Sequence, residues 1–263
     1  MSLPLLAASA EHGYTAPDQS IFWQPLIGSG AFAITRPAIV FALSAVLIIA
    51  LLLAGTKKLA IVPGKKQMVV EAAYGFVRNT LARDIIGSKD FRKFVPLLFT
   101  FFTVILVNNL FGVIPPIQYP TMSRIAFPLA LTIFLYATYH FVGIRRKGLG
   151  GYLGGLVPPG LPKLIVPLVW ALEFLSVMVI QPVTITLRLF GNMFAGHLIL
   201  VLFISGAEYM FIDGGLGLKI IGVPTIIMAF VLTLFELFVE FLQAYVYTML
   251  AATFIASALA DEH

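Results

Sequence analysis

Three apolar stretches of about twenty residues, and two roughly twice as long, restrict this chain more than any other feature of it. A bilayer crossing needs about 18 to 20 predominantly apolar residues in helical form, because hydrocarbon offers no partner to an open backbone N–H or C=O. Residues 37–54, 94–114 and 125–144 each supply one such helix. The first ends at Thr56 and Lys57, the second at Pro115 and Pro116, the third at Arg145, Arg146 and Lys147. With 60% hydrophobic and 11% charged residues, the chain has too little charge to cover a water-facing surface, which excludes a soluble enzyme and a disordered tail. It contains no cysteine, so disulfides and thiolate metal sites are excluded, and His12, His140, His197 and His263 are too scattered for a ligand cluster.

The long windows are 164–212 and 220–260, separated by Asp213, Gly214 and Gly215. As continuous helices they would measure about 73 and 61 Å at ~1.5 Å per residue, against a hydrocarbon core of ~30 Å. Each is therefore either a pair of spans or one helix lying far from the bilayer normal. Composition does not choose between these.

Between the spans, 57–93 carries nine Lys and Arg against Glu71, Asp84 and Asp90. Met68, Val69, Ala72, Ala73, Phe76, Val77 and Leu81 recur there at helical spacing, which predicts an amphipathic helix on the headgroups, the alternative being a water-exposed loop helix. Residues 145–163 form a Gly/Pro loop with four more basic residues and no phosphate-binding pattern. The 1–36 tail, the 115–124 loop and the 213–219 turn carry one each: Arg36, Arg124 and Lys219. Positive charge accumulates on the cytoplasmic side, so 57–93 and 145–163 belong inside. With one crossing per long window, 1–36 is extracytoplasmic, 261–263 is cytoplasmic, and five helices traverse. The fold expected is an all-α polytopic membrane protein, with an uncleaved N-terminal tail and no nucleic-acid role for its +5 net charge.

An ionisable side chain at bilayer depth costs at least ~2.5 to 3.5 kcal/mol and calls for a reason. Such groups gather in 164–260: Glu173, Arg188, His197, Glu208, Glu236 and Glu240, with Gln181, Asn192 and Gln243. At ~100° per residue, Gln181, Thr184 and Asn192 share a stripe centred on Arg188, whereas His197 points to the opposite side. Glu236, Glu240, Gln243 and Tyr247 form a second stripe. Arg188 keeps its charge at any physiological pH, so it can only be a fixed cation. It either meets an acid of another subunit, pulling off a proton that desolvation had kept on, or locks an internal ion pair. Glu236, Glu240 and His197 either line wet proton paths, or form a carboxyl pair sharing a proton and a helix-to-helix hydrogen bond. Glu173 and Glu208 are weaker candidates; Asn108 and Asn109 read as helix contacts, and His140 as interfacial.

The run from Leu187 through Arg188, Phe190, Gly191 and Asn192 to Gly196 resembles the signature of subunit a of the membrane sector of F-type ATP synthases. Asn109 to Pro115, Pro63 through Gln67 to Glu71, and Leu242 to Tyr245 are also similar, so the resemblance covers about 35–263. It implies that Arg188 is the essential charge facing a ring of c subunits, with Asn192 its neighbour and Gln243 the matching glutamine on the last helix. It further implies two offset half-channels carrying protons, two strongly tilted helices over 164–260 wrapping the ring, and a peripheral stalk of b and delta type. The catalytic sector would be an indirect partner, no cofactor or metal would be needed, and the chain would not be an enzyme by itself. A self-contained cation/proton transporter is the alternative. In well-known bacterial relatives an acid stands at the position of His197 and a histidine at that of Glu236. The exchange suggests that these two residues are close in space.

Overall fold

A computed structural model describes Tyr14 and residues 25–27, 34–57, 59–114, 118–157 and 160–260. Most of the expected N-terminal tail and the expected cytoplasmic 261–263 lie outside the described residues, as do His12 and His263. Strands β1 (Pro25–Ile27) and β2 (Ile34–Thr35) pair antiparallel just before the first helix.

The helices are α1 (Arg36–Thr56), α2 (Lys65–Phe76), α3 (Asp84–Ile86), α4 (Phe91–Val113), α5 (Ala126–Gly154), α6 (Val166–Leu175), α7 (Gln181–Ile212) and α8 (Leu216–Leu259). The chain is an all-α polytopic membrane protein. Among the described residues five helices are long and apolar enough to cross a membrane: α1, α4, α5, the unit Val166–Ile212, and α8. Pro37 stands in the first turn of α1, where its fixed φ suits the helix and its missing N–H costs nothing. Most of α1 stays exposed to the surroundings; only Pro37, Ser44, Ile48 and Gly55 are buried.

Both long windows are single helical units, not pairs of spans. A π-helical stretch at Ser176–Ile180 joins α6 to α7 without a turn, and α8 runs 44 residues straight through Pro224. At ~1.5 Å per residue α8 is about 66 Å long, twice the hydrocarbon thickness. The hairpin between α7 and α8 turns at Asp213 to Gly215, where a side chain on Gly214 would press on the Met210 carbonyl and the Leu218 Cβ.

Two boundaries differ from the pattern of the sequence. The amphipathic segment is longer, because a π-helical stretch at Val77–Arg83 carries α2 on into α3. Its first half keeps Met68 and Val69 exposed, while Val77 and Leu81 are fully buried beside α4, so one helix lies outside at one end and in the core at the other. Residues 148–154, expected as loop, are helical after a break at Gly148, whose φ of 72° and ψ of 165° only glycine adopts easily. The core lies where α4 and α5 both pack on α8, around Leu98, Phe101, Ile105, Leu135 and Ile255. At the basic end, Lys93 donates to Asp90 (2.8 Å) and Arg146 donates to its other oxygen (3.3 Å), holding the Asp90 carboxyl below its usual range. In the loop that closes the other end of α4, burial pushes the Tyr119 hydroxyl up to about 12 against the pull of Arg36 and Arg124.

Candidate functional site

Helices α4, α7 and α8 meet at two glycines. A Cβ on Gly112 of α4 would press on the end of Met193 and lie 3.3 Å from Glu240 Oε1. A Cβ on Gly196 of α7 would lie 3.0 Å from Glu236 Oε1. The absent side chains let the two carboxyls of α8 reach the backbones of its neighbours. His197, one residue past Gly196, is 5% exposed and hydrogen-bonds the backbone of Gly112. Thus the imidazole of α7 and both acids of α8 share one small region.

Glu236 is 6% and Glu240 1% exposed, and among the described residues none of their four carboxyl oxygens has a hydrogen-bond partner. Burying an unsatisfied polar group costs several kcal/mol in order of magnitude, and a folded protein tolerates it mainly at functional sites or beside ordered water. Asn109 of α4, also buried, donates weakly to the Glu240 carbonyl (3.4 Å), leaving its own Oδ1 without a partner among the described residues. Asn108 is different: it donates to the Val104 carbonyl (2.8 Å) and accepts from the Thr121 hydroxyl (3.0 Å), a structural role. Asn109, read from the sequence as a helix contact, makes one to α8; Gly112 and Gly196 are site residues that the reading of polar positions passed over. The spacing of Asn109 and Gly112, three apart on one face of an apolar span, was the available signal.

Arg188 stands on the other side of α7. Leu189 and Met193 beside it are buried, whereas Arg188, Thr184, Val183 and Leu187 are exposed. Among the described residues the guanidinium makes no ion pair; the pairs formed are Lys93 with Asp90 and Arg146 with Asp90. This disposes of an internal lock within the described residues. Asn192, one turn on, is half-buried, as is Gln243 on α8. Gln181 is half-buried and accepts a long hydrogen bond from the Tyr136 hydroxyl of α5 (3.4 Å). Tyr247 is buried with its ring edge-on to Phe101 at 5.5 Å and its hydroxyl beside Thr132. Glu173 is half-buried on α6, Glu208 is exposed, and His140 pairs its Nδ1 with the Tyr152 hydroxyl (2.7 Å), so none of the three joins the cluster. Among the described residues no three His, Asp or Glu side chains gather as a metal ion would require.

These features define a polytopic helical membrane protein with an acid and imidazole cluster inside and, on the outer face of α7, a cation that forms no ion pair among the described residues. The sequence profile of the family described as ATP synthase A chain matches residues 38–256. A protein called ATP synthase subunit a from a Nocardioides species is 41% identical over 263 residues, covering 95% of this chain and 95% of its own. Those of the same name from Pseudarthrobacter chlorophenolicus and Rhodococcus erythropolis are 45% identical (84% of each chain) and 37% identical (all of this chain, 96% of the relative). The chain belongs to the ATP synthase subunit a family.

Proposed function

We propose that this chain is the ion-conducting stator subunit of a rotary F-type ATP synthase, and that Arg188 faces a rotating ring of proteolipid c subunits. The observation that carries the reading is Arg188 itself, exposed on an apolar helix face with no ion-pair partner among the described residues. A bare guanidinium against hydrocarbon is costly, and a carboxylate brought to it by another subunit removes that cost. Each ring carboxyl arrives neutral from the lipid, ionises beside Arg188, and gains a new proton once it has moved on. A permanent charge at this point also repels a proton that would pass straight across.

His197, Glu236 and Glu240, with Asn192 and Gln243, serve as the proton path on either side of that charge, and Glu173, Gln181 and Tyr247 are secondary contributors. Two half-channels, each open to one side only, force a proton to ride the ring between them. Voltage supplies about 2.3 kcal/mol per charge and 100 mV, and several transfers per turn drive ATP formation elsewhere. A helix of about 66 Å fits a 30 Å core only if strongly inclined, which suits α7 and α8 to follow the curved flank of a ring. The basic segments face the cytoplasm, the N-terminus lies outside, and a peripheral stalk holds the chain still.

Purification of the full complex in mild detergent tests this reading. An oligomeric proteolipid ring is expected to accompany the chain, and the chain reconstituted alone is expected to conduct negligibly. Robust conduction by the lone chain, with no ring retained, would instead favour a self-contained cation/proton transporter.

A further inference from the structure

Helices α1, α2 and α4 enclose an apolar cleft of about 430 Å³ that the proton path leaves unused. Its walls include Ile48 and Leu51 of α1, Val69 and Ala73 of α2, and Phe99 and Val107 of α4. Lys65 and Lys66, the first residues of α2, border it. The border is held in shape. Gly55 lets α2 close on α1, since a Cβ there would sit 2.6 Å from Val70 Cγ2 and 3.3 Å from the Lys66 carbonyl oxygen. Buried Gln67 donates to the Ala60 carbonyl (3.0 Å) and to Glu71 (2.7 Å) and accepts from the Ala60 N–H (3.2 Å). The acid of this helix is therefore engaged by an amide, and neither lysine is in an ion pair among the described residues.

We propose that this cleft is a binding site for one anionic phospholipid, its phosphate on Lys65 and Lys66 and one acyl chain between α1, α2 and α4. Depth and charge together select this occupant. From Phe99 to Val107 the wall rises about 12 Å at ~1.5 Å per residue, close to one leaflet of a ~30 Å core. A partner transmembrane helix would need a groove running the full thickness. The cations stand beside Ala54 and Gly55 in the last turn of span α1, at the level where headgroups lie, and basic pockets between spans recognise anionic headgroups. The first N–H groups of α2 have no side-chain cap, which adds to the attraction for a phosphate.

Native mass spectrometry of the purified complex, released from nanodiscs of equal phosphatidylglycerol and phosphatidylcholine, tests the site. Wild type is expected to retain phosphatidylglycerol, and the Lys65→Gln, Lys66→Gln double variant to bind it about 30-fold more weakly, from roughly fivefold per lysine near an anionic surface. A photoreactive residue at exposed Val69, introduced in wild type, is expected to form an adduct with phospholipid. Equal retention of phosphatidylglycerol by wild type and double variant overturns the proposal, as does capture by Val69 of another polypeptide in place of lipid.

Discussion

Gly196→Ala probes the contact between α7 and the first acid of α8. The added methyl would lie 3.0 Å from Glu236 Oε1 and 3.3 Å from its Cδ. Favourable contact between heavy atoms begins near ~3.5 Å, so the carboxyl must withdraw by about 0.5 Å. Overpacking of this kind costs about 1–3 kcal/mol, while alanine gains about 1 kcal/mol over glycine inside a helix. The net change, from about 0 to 2 kcal/mol, leaves the chain folded and assembled. Proton transfer is more exacting, since a misplacement of ~1 Å can cost about 100-fold, so half that displacement predicts a loss of roughly tenfold. ATP-driven acidification of membrane vesicles, normalised to assembled complex, reads this directly. Gly75→Ala is the control: it sits in α2 with nothing within 4 Å of an added Cβ, and is expected to leave pumping unchanged. Full pumping by an assembled Gly196→Ala complex would remove the Glu236 carboxyl from the path.

The pair formed by His197 and Glu236 gives a second prediction: His197→Ala and Glu236→Ala each lower proton flux, and exchanging the two residues is milder than either. Normal flux in both single variants contradicts their role. Gly148→Ala forces a side chain into the φ 72°, ψ 165° region and is expected to cost about 1–3 kcal/mol, seen as a lower thermal midpoint in detergent. Gly150→Ala, with open space around it, is expected to leave that midpoint unchanged or raise it. For Asp90, the hydrogen bond from Lys93 lowers the folded pKa below 3.8, with Arg146 adding to it. Its contribution is therefore complete above that value and is lost as pH falls through the lowered one. An NMR titration of the Asp90 carboxyl is expected to show no change between pH 5 and 8 and a midpoint below 3.8.

The three shorter spans were legible because length in hydrocarbon is a hard constraint, and the helical wheel turned Arg188 and His197 to opposite sides of α7, as their burial shows. Whether 164–212 and 220–260 were pairs or single helices was not legible. A helix pair and one long helix have the same composition, and the joint at Ser176–Ile180 is a π-helical stretch with no Pro or Gly in it. Helix beyond Gly148 was hidden for the opposite reason: its Gly-rich composition reads as loop, yet a single residue carries the break. At the site, Glu236 and Glu240 stood out as charges among apolar neighbours. Gly112 and Gly196 did not, since a glycine matters there only for what lies opposite it, and that is a property of three packed helices rather than of one.

Removing the exposed cation tests most directly whether Arg188 governs the passage of protons. Because Arg188 has no ion-pair partner among the described residues, Arg188→Ala is expected to leave folding and assembly intact. ATP-driven proton pumping by vesicles holding the assembled variant complex is expected to fall to background. Pumping at the wild-type rate would mean that this guanidinium does not govern the passage of protons.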